Sequence, residues 1–380
     1  MKGDSNSINK KPSPFPMNTK LAVISAILAS LSVFFSLDSV FHDSRISEME
    51  LLPLDAATGP ESIAFDAKGE GPYTGISDGR ILKWQGKEQR WLEYAAVHAP
   101  HLLSKCRGSQ DPKLEHVCGR PLGLKFSAKT GELYVADAYL GLLVVGPDDK
   151  FATPIAKQAQ SVEFHVTNGL DIDPDSGVVY FTDSSMRFPR RQYISAIIAG
   201  DRTGRLMKYD PESREVQVLL DSLYFPNGVA LSQDGSHLLI VETTTCRILR
   251  YWLRTPKAKS LEVIAQLPGF PDNIKRSPRG GFWVALHSKR TKLVQWVLSE
   301  PWLCDALLKA SVDLQRLSSF LNWRSGKASA LRLSEDGQVL EGFGGRAMRA
   351  ISEVEERYGR LWIGSIAMPF VGIYNVTRPA

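Results

Sequence analysis

Apolar and polar residues alternate in short runs along most of the chain, and the runs recur. Copies read ESIAFDAKGEGPYTGISDGRILKW from Glu61, LGLKFSAKTGELYVADAYLGLLVV from Leu122, NGLDIDPDSGVVYFTDSS from Asn168, NGVALSQDGSHLLIVETTTCRILRYW from Asn227 and DNIKRSPRGGFWVALHS from Asp272. A weaker sixth copy, SEVEERYGRLWIGSIAMPFVGIYNV, starts at Ser352. Each alternates with period two, turns at Asp-Gly, Ser-Gly or Arg-Gly-Gly, and continues into further strands such as GRLMKYDP or CRILRYWL, which describes a blade of antiparallel sheet. Six copies spaced by roughly 45 to 80 residues predict an all-β, six-bladed β-propeller over residues 50–380, because a sandwich fills only about a third of that length. A strand near residues 51–54 is expected to complete the last blade and close the ring.

Two stretches break the alternation. Residues 292–321 place Leu, Val and Trp at helical spacing with no turn signal, which predicts a helical insertion between blades 5 and 6, lying over one face of the disc as packing, lid or membrane-facing surface. Residues 21–37, LAVISAILASLSVFFSL, carry no charge, follow lysines and precede Asp38. They read as an uncleaved signal anchor with the lysines cytosolic, or as a cleaved signal peptide, with residues 1–20 a cytosolic or cleaved tail. Either reading sends the body into the secretory pathway: endoplasmic reticulum membrane or lumen, vacuole, or outside the cell. Membrane contact through the leader is expected if it stays uncleaved.

Composition narrows the partners. The 380 residues are 43% hydrophobic and 23% charged, which excludes a disordered chain and a polytopic membrane protein. Of the net +5, most comes from Lys2, Lys10, Lys11 and Lys20 against Asp4, so the body is nearly neutral and a nucleic-acid partner is not expected. Cys106 and Cys118 bracket a polar segment that a disulfide can close in an oxidising compartment, worth about 3 kcal/mol if unstrained. Zinc is disfavoured there, since His116 is the only histidine between the two cysteines and no second cysteine pair follows. Cys246, read as a strand residue, and Cys304, read as helical, fit buried small hydrophobes. Asn375-Val376-Thr377 is a glycosylation sequon in the last strand. Asp183 and Glu242, each ending a strand, fit structural pairs with Arg205 or Arg247, and Trp84, Trp283 and Trp362 fit blade packing.

In a propeller the innermost strands line one channel, so residues opening equivalent innermost strands converge on the axis. Here those positions are Glu61, Leu122, Asn168, Asn227, Asp272 and Ser352, with Asn273 beside Asp272. Burying two carboxylates and several carboxamides together is costly unless a cation satisfies them, and an all-oxygen donor set suits Ca²⁺ better than Mg²⁺, zinc or copper. The plainer reading of each Asn-Gly pair is that it only shapes a turn.

These motifs together resemble the strictosidine synthase-like proteins, including plant strictosidine synthase and the animal adipocyte plasma membrane-associated protein. That group lies within the calcium-dependent six-bladed propellers that also contain paraoxonases, diisopropylfluorophosphatase and gluconolactonases. The resemblance runs from about Gly59 to Tyr374 through GPES, CGRPLGL, GVVYFTDSS, TGRLMKYDP, FPNGVALSQDG, PDNIKR and GRLWIGS. It implies a calcium site at Glu61, Asn168, Asn227, Asp272 and Asn273. It also implies two departures. The alkaloid-forming Pictet–Spengler enzyme opens its sixth repeat with a Glu where this chain has Ser352, and alternation aims the neighbouring Glu353 away from the channel. The paraoxonases open their second repeat with a His where this chain has Leu122, leaving His165 and His287 as loop candidates. The expectation is therefore a calcium-dependent hydrolase of small esters or lactones, arylesterase- or lactonase-like, with Ca²⁺ polarising the substrate and Asp272 activating water or attacking. The rivals are a condensing enzyme of alkaloid synthesis and a non-catalytic, calcium-stabilised binding propeller.

Overall fold

Strand pairing in a computed structural model, which describes residues 49–310, 313–314, 328–345 and 348–376, follows the repeat copy by copy. Six four-stranded antiparallel sheets form, and the innermost strands of blades 2 to 6 are Pro121–Phe126, Thr167–Ile172, Pro226–Leu231, Gly269–Arg276 and Ile351–Arg357. Blade 1 starts with the short strand Ile63–Ala64, just after Glu61. The strand Glu50–Pro53 pairs antiparallel with Phe370–Asn375 and is the fourth strand of blade 6, so the ring closes as expected.

Period-two strands with both faces apolar explain the packing. In Val179–Asp183, Val179 and Phe181 turn toward blade 2 while Tyr180 turns toward blade 4. In His237–Glu242, Leu239 and Val241 pack on blade 5 while Leu238 and Ile240 pack on blade 3. Each blade thus shares an apolar layer with its neighbours, and each fully buried Leu, Ile or Phe contributes roughly 1.5–3 kcal/mol. Trp283 and Trp362 lie in such layers, and Trp84 packs at the edge of the layer between blades 6 and 1.

The axis is tighter than strand geometry alone allows. In blades 2 to 6 the pairing register of the innermost strand slips at the opening position, between Pro121 and Gly123, Thr167 and Leu170, Pro226 and Val229, Pro271 and Ile274, and Ile351 and Glu353. These bulges re-aim the side chains they contain. They also show what the Asn-Gly pairs do: both lie inside strands, not in turns. A Cβ on Gly169 would sit 2.6 Å from the Asn227 carbonyl oxygen, and one on Gly228 would sit 2.5 Å from the Ile274 backbone nitrogen. Glycine is there because adjacent blades touch backbone to backbone. Hydroxyls tie the contacts: Thr182 donates to the Asn227 carbonyl at 2.6 Å, Ser184 to that of Pro226 at 2.7 Å, Thr243 to that of Pro271 at 2.7 Å and Ser352 to that of Glu61 at 2.6 Å.

Glu353 corrects the simple alternation count. The bulge at Ser352 resets the strand, and the Glu353 carboxylate turns inward, accepting from the Ile63 N–H at 2.6 Å and from the Ser62 hydroxyl, with the Lys275 ammonium at 3.3 Å. It therefore links blades 5, 6 and 1. Burial pushes its carboxyl up to about 7, and the Lys275 charge offsets this only in part.

The helical insertion also lies elsewhere than expected. Its described part, the helices Lys292–Ser299 and Pro301–Lys309, falls between the second and third strands of blade 5, because Ala328–Leu333 pairs back onto Phe282–Lys289 and Val339–Gly345 pairs in turn onto Ala328–Leu333. The rest of 292–321, apart from 300, 310 and 313–314, lies outside the described residues, as do the tail and the leader at 21–37. Among the described residues no helix is long and apolar enough to cross a membrane. Cys106 and Cys118 are disulfide-bonded, and Cys246 and Cys304 are free and buried, Cys246 in a turn rather than a strand. Asp183 pairs with Arg205 at 2.7 Å and Glu242 with Arg247.

Two outcomes follow from the crowded axis. Gly169→Ala and Gly228→Ala are each expected to cost about 2 kcal/mol or more and to lower the melting temperature, whereas Gly86→Ala, with only a side-chain atom at 3.9 Å, leaves it nearly unchanged. Because the folded-state Glu353 carboxyl titrates above the ordinary 4.5, its protonated form contributes stability that is present below that value and is lost as pH rises through about 7. Urea melts at about pH 5 and about pH 8 should show Glu353→Gln gaining on the parent by roughly 2 kcal/mol at the higher pH; a constant difference would remove Glu353 as the titrating group.

Candidate functional site

Asn168, Asn227, Asp272 and Asn273 lie within the register slips of their inner strands, and Glu61 stands just before the short inner strand of blade 1. Glu61, Asn168, Asn227, Asp272 and Asn273 are all buried, at 3–6% exposure. Hydrogen-bond direction fixes two of the amides. The Ser184 and Thr243 hydroxyls spend their protons on the carbonyls of Pro226 and Pro271, so they accept from the Asn168 Nδ2 at 3.0 Å and the Asn227 Nδ2 at 3.3 Å. The amide oxygens are what remain, and Asn168 Oδ1 and Asn227 Oδ1 are both buried with no partner among the described residues. Asn273 differs, since its unpartnered atom is Nδ2.

The two carboxyls feel each other. Burial, then the charge of Glu61, pushes the Asp272 carboxyl well above the ordinary range, with Asn227 and Arg190 opposing. Burial also raises Glu61, against the charges of Arg120 and Arg190. A buried pair of carboxyls with two orphaned amide oxygens is the donor set a hard cation satisfies. Among the described residues no group of three or more His, Cys, Asp or Glu forms, as expected for a set with only two carboxylates.

Around these donors lies a polar rim that the repeat does not mark. Arg120, 1% exposed, places Nη2 at 3.3 Å from Glu61 Oε2 and 3.4 Å from the Ile366 carbonyl. Glu115, from the disulfide-closed segment, pairs with Arg190 at 2.6 Å and accepts from the Tyr139 hydroxyl at 3.1 Å. Burial opposes ionisation of Glu115, but the Arg190 and Arg120 charges outweigh it and hold its carboxyl low. Tyr193 stands edge-on to His287, ring centroids 6.1 Å apart. Desolvation, with the Arg190 charge, lowers His287 to about 4, so the imidazole is neutral near pH 7, and its Nε2 is unpartnered.

Three residues further along the inner strands lies a second layer, of paired charges. Lys125 pairs with Asp171 at 2.9 Å, whose other oxygen accepts from the Leu231 N–H at 2.9 Å; Lys275 holds Glu353, and Glu355 sits near both lysines. A pocket lined by Lys125, Asp171, Leu231 and Arg276 lies at this layer.

The two departures have physical explanations. Leu122 is buried with Ala138 and Val166 as an apolar wall, and the Ser352 hydroxyl is used in holding the Glu61 carbonyl. Of the two histidines, His287 reaches the rim from a strand of blade 5 rather than a loop, and His165 is exposed at a strand approach. Asn375 is exposed at the end of its strand, and Thr377 lies outside the described residues.

Comparison with known proteins adds the lineage. A strictosidine synthase model matches residues 168–256, and a strictosidine synthase-like N-terminal model matches residues 43–84. From Arabidopsis thaliana, STRICTOSIDINE SYNTHASE-LIKE 10 is 49% identical over 94% of this chain and 98% of its own, and STRICTOSIDINE SYNTHASE-LIKE 2 is 50% identical over 87% and 90%. Among solved structures, a Xanthomonas campestris gluconolactonase superposes with a TM-score of 0.56 at 15% identity, covering 87% of this chain and 91% of that one. The calcium-binding protein regucalcin from Agrobacterium tumefaciens superposes at 0.55 and 13%, covering 89% and 95%. At those identities the structures speak for the fold alone. Sequence identity near one half across almost the whole of both chains is a stronger statement: this chain belongs to the strictosidine synthase-like family.

Proposed function

We propose that this propeller is a calcium-dependent hydrolase of small esters or lactones. The observation that carries the reading is the pair of buried, unpartnered oxygens on Asn168 and Asn227 beside the Glu61 and Asp272 carboxyls. Glu61, Asn168, Asn227 and Asp272 would hold the ion, with Asn273 able to join by turning its amide. A bound Ca²⁺ supplies Lewis acidity to a carbonyl oxygen. Asp272 then takes the proton of the attacking water, since it is the buried carboxylate without a guanidinium partner. Leu122, Val166 and Tyr139 give the substrate an apolar wall.

The condensing-enzyme reading loses its base. Ser352 cannot act as a carboxylate, and Glu353, though turned inward, is held by Ser62, Ile63 and Lys275 in the layer beneath. A non-catalytic propeller stabilised by calcium remains the rival, favoured by the apolar Leu122 where the hydrolase pattern has an imidazole.

Calcium at about a hundred times its Kd should stabilise the fold by about 2.7 kcal/mol, seen as a higher melting temperature that a chelator reverses. Phenyl acetate and dihydrocoumarin should be hydrolysed only with calcium, and Asp272→Asn should lower kcat by about a hundredfold or more. Asn168→Ala should weaken calcium protection at least about tenfold. Calcium stabilisation without turnover of any ester or lactone would favour the binding propeller; no stabilisation would remove the ion from the site.

A further inference from the structure

Glu61, Glu115, Asp137 and Asp272 bring four formal negative charges to the surroundings of the axial donors, and Arg120 and Arg190 bring two positive ones, so a divalent cation completes the balance.

Arg120 is almost wholly buried, yet its hydrogen bonding is poor: Nη2 makes two long contacts, while Nε and Nη1 have no acceptor among the described residues. A guanidinium offers donors in a fork matched to carboxylate or phosphate oxygens. Its present counter-ion is Glu61, one of the oxygens a cation would claim, so the same carboxylate cannot fully serve both.

We propose that the site binds a divalent cation and an anionic ligand together, the ligand being a small ester or lactone that bears a carboxylate or phosphate, and that Arg120 couples the two. Without the anion, Arg120 competes with the cation for Glu61 and weakens its binding. With the anion, Arg120 turns its free donors to the ligand and releases Glu61. Arg190, paired with Glu115, draws the ligand's charge inward. The inference rests on the hydrolase reading for the ester or lactone frame of the ligand, but its coupling is a binding property and is measured without turnover.

The test is calorimetric titration of calcium into the full chain, with and without 4-acetamidobenzoate, an amide that mimics an aryl ester and carries a carboxylate, and with its neutral methyl ester as control. Phenyl phosphate gives the phosphate arm. The anion should tighten calcium by about tenfold, calcium should tighten the anion by the same factor, and the methyl ester should do neither. Arg120→Gln should bind calcium more tightly than the parent when no anion is present and should bring the coupling factor close to one; Arg120→Lys should keep part of it. Should Arg120→Gln fail to fold, Arg190→Gln must reduce the anion's affinity in the calcium-loaded protein. Coupled binding with no hydrolysis of 4-acetoxybenzoate would overturn the hydrolase reading and leave this inference standing. Calcium-dependent hydrolysis with equal affinity for charged and neutral analogues would do the reverse, and absence of calcium binding would overturn both.

Discussion

Backbone crowding at the axis is the constraint on which the rest depends. Innermost strands approach within contact distance, so glycine stands at positions 169 and 228, the pairing register slips, and hydroxyls from second strands reach across to neighbouring carbonyls. Those slips decide which side chains face inward. The same hydroxyls hold the amide nitrogens of Asn168 and Asn227 and leave their oxygens unsatisfied. Packing geometry and candidate chemistry thus have one cause: the contacts that close the ring also prepare the acceptors.

Burial gives those acceptors their force. Carboxyls at Glu61 and Asp272 are held away from water, which raises both; Arg120 and Arg190 oppose this at Glu61, and Asn227 and Arg190 oppose it at Asp272. The layer beneath solves the same problem differently, by pairing each ammonium with a carboxylate. One end of the channel is electrostatically complete and the other is not. That asymmetry, rather than any single residue, marks the end at which the unpartnered amide oxygens lie.

The fold was legible in the sequence because every blade restates one pattern, and the closing strand could be expected from the need to finish the sixth sheet. The opening positions were legible for the same reason. What escaped lies where the repeat gives no guidance. Arg190 and Tyr193 come from an insertion inside blade 3, and Glu115 from the disulfide-closed segment between blades 1 and 2. Arg120 stood within CGRPLGL, two residues before an opening position, and its burial beside Glu61 was the missing information. Glu353 was placed on the wrong side because alternation assumes an unbroken pleat, and the bulge at Ser352 breaks it. The helical insertion was set after blade 5 because the strands that resume past it are weakly patterned, yet they pair back across it.

The strand Glu50–Pro53 on the edge of blade 6 carries a temporal consequence. Polypeptide made early must wait for polypeptide made late, since Leu52 has no sheet to join until Val371 and Ile373 have been synthesised. During that interval the flanks of the first and sixth blades, Ile63 and Trp362 among them, stay uncovered, and a nascent chain in this state is open to capture by other apolar surfaces. Assembly of the circle is in this sense a single late event, and a truncation at either rim of the seam would leave an open arc with two sticky ends instead of a slightly smaller ring.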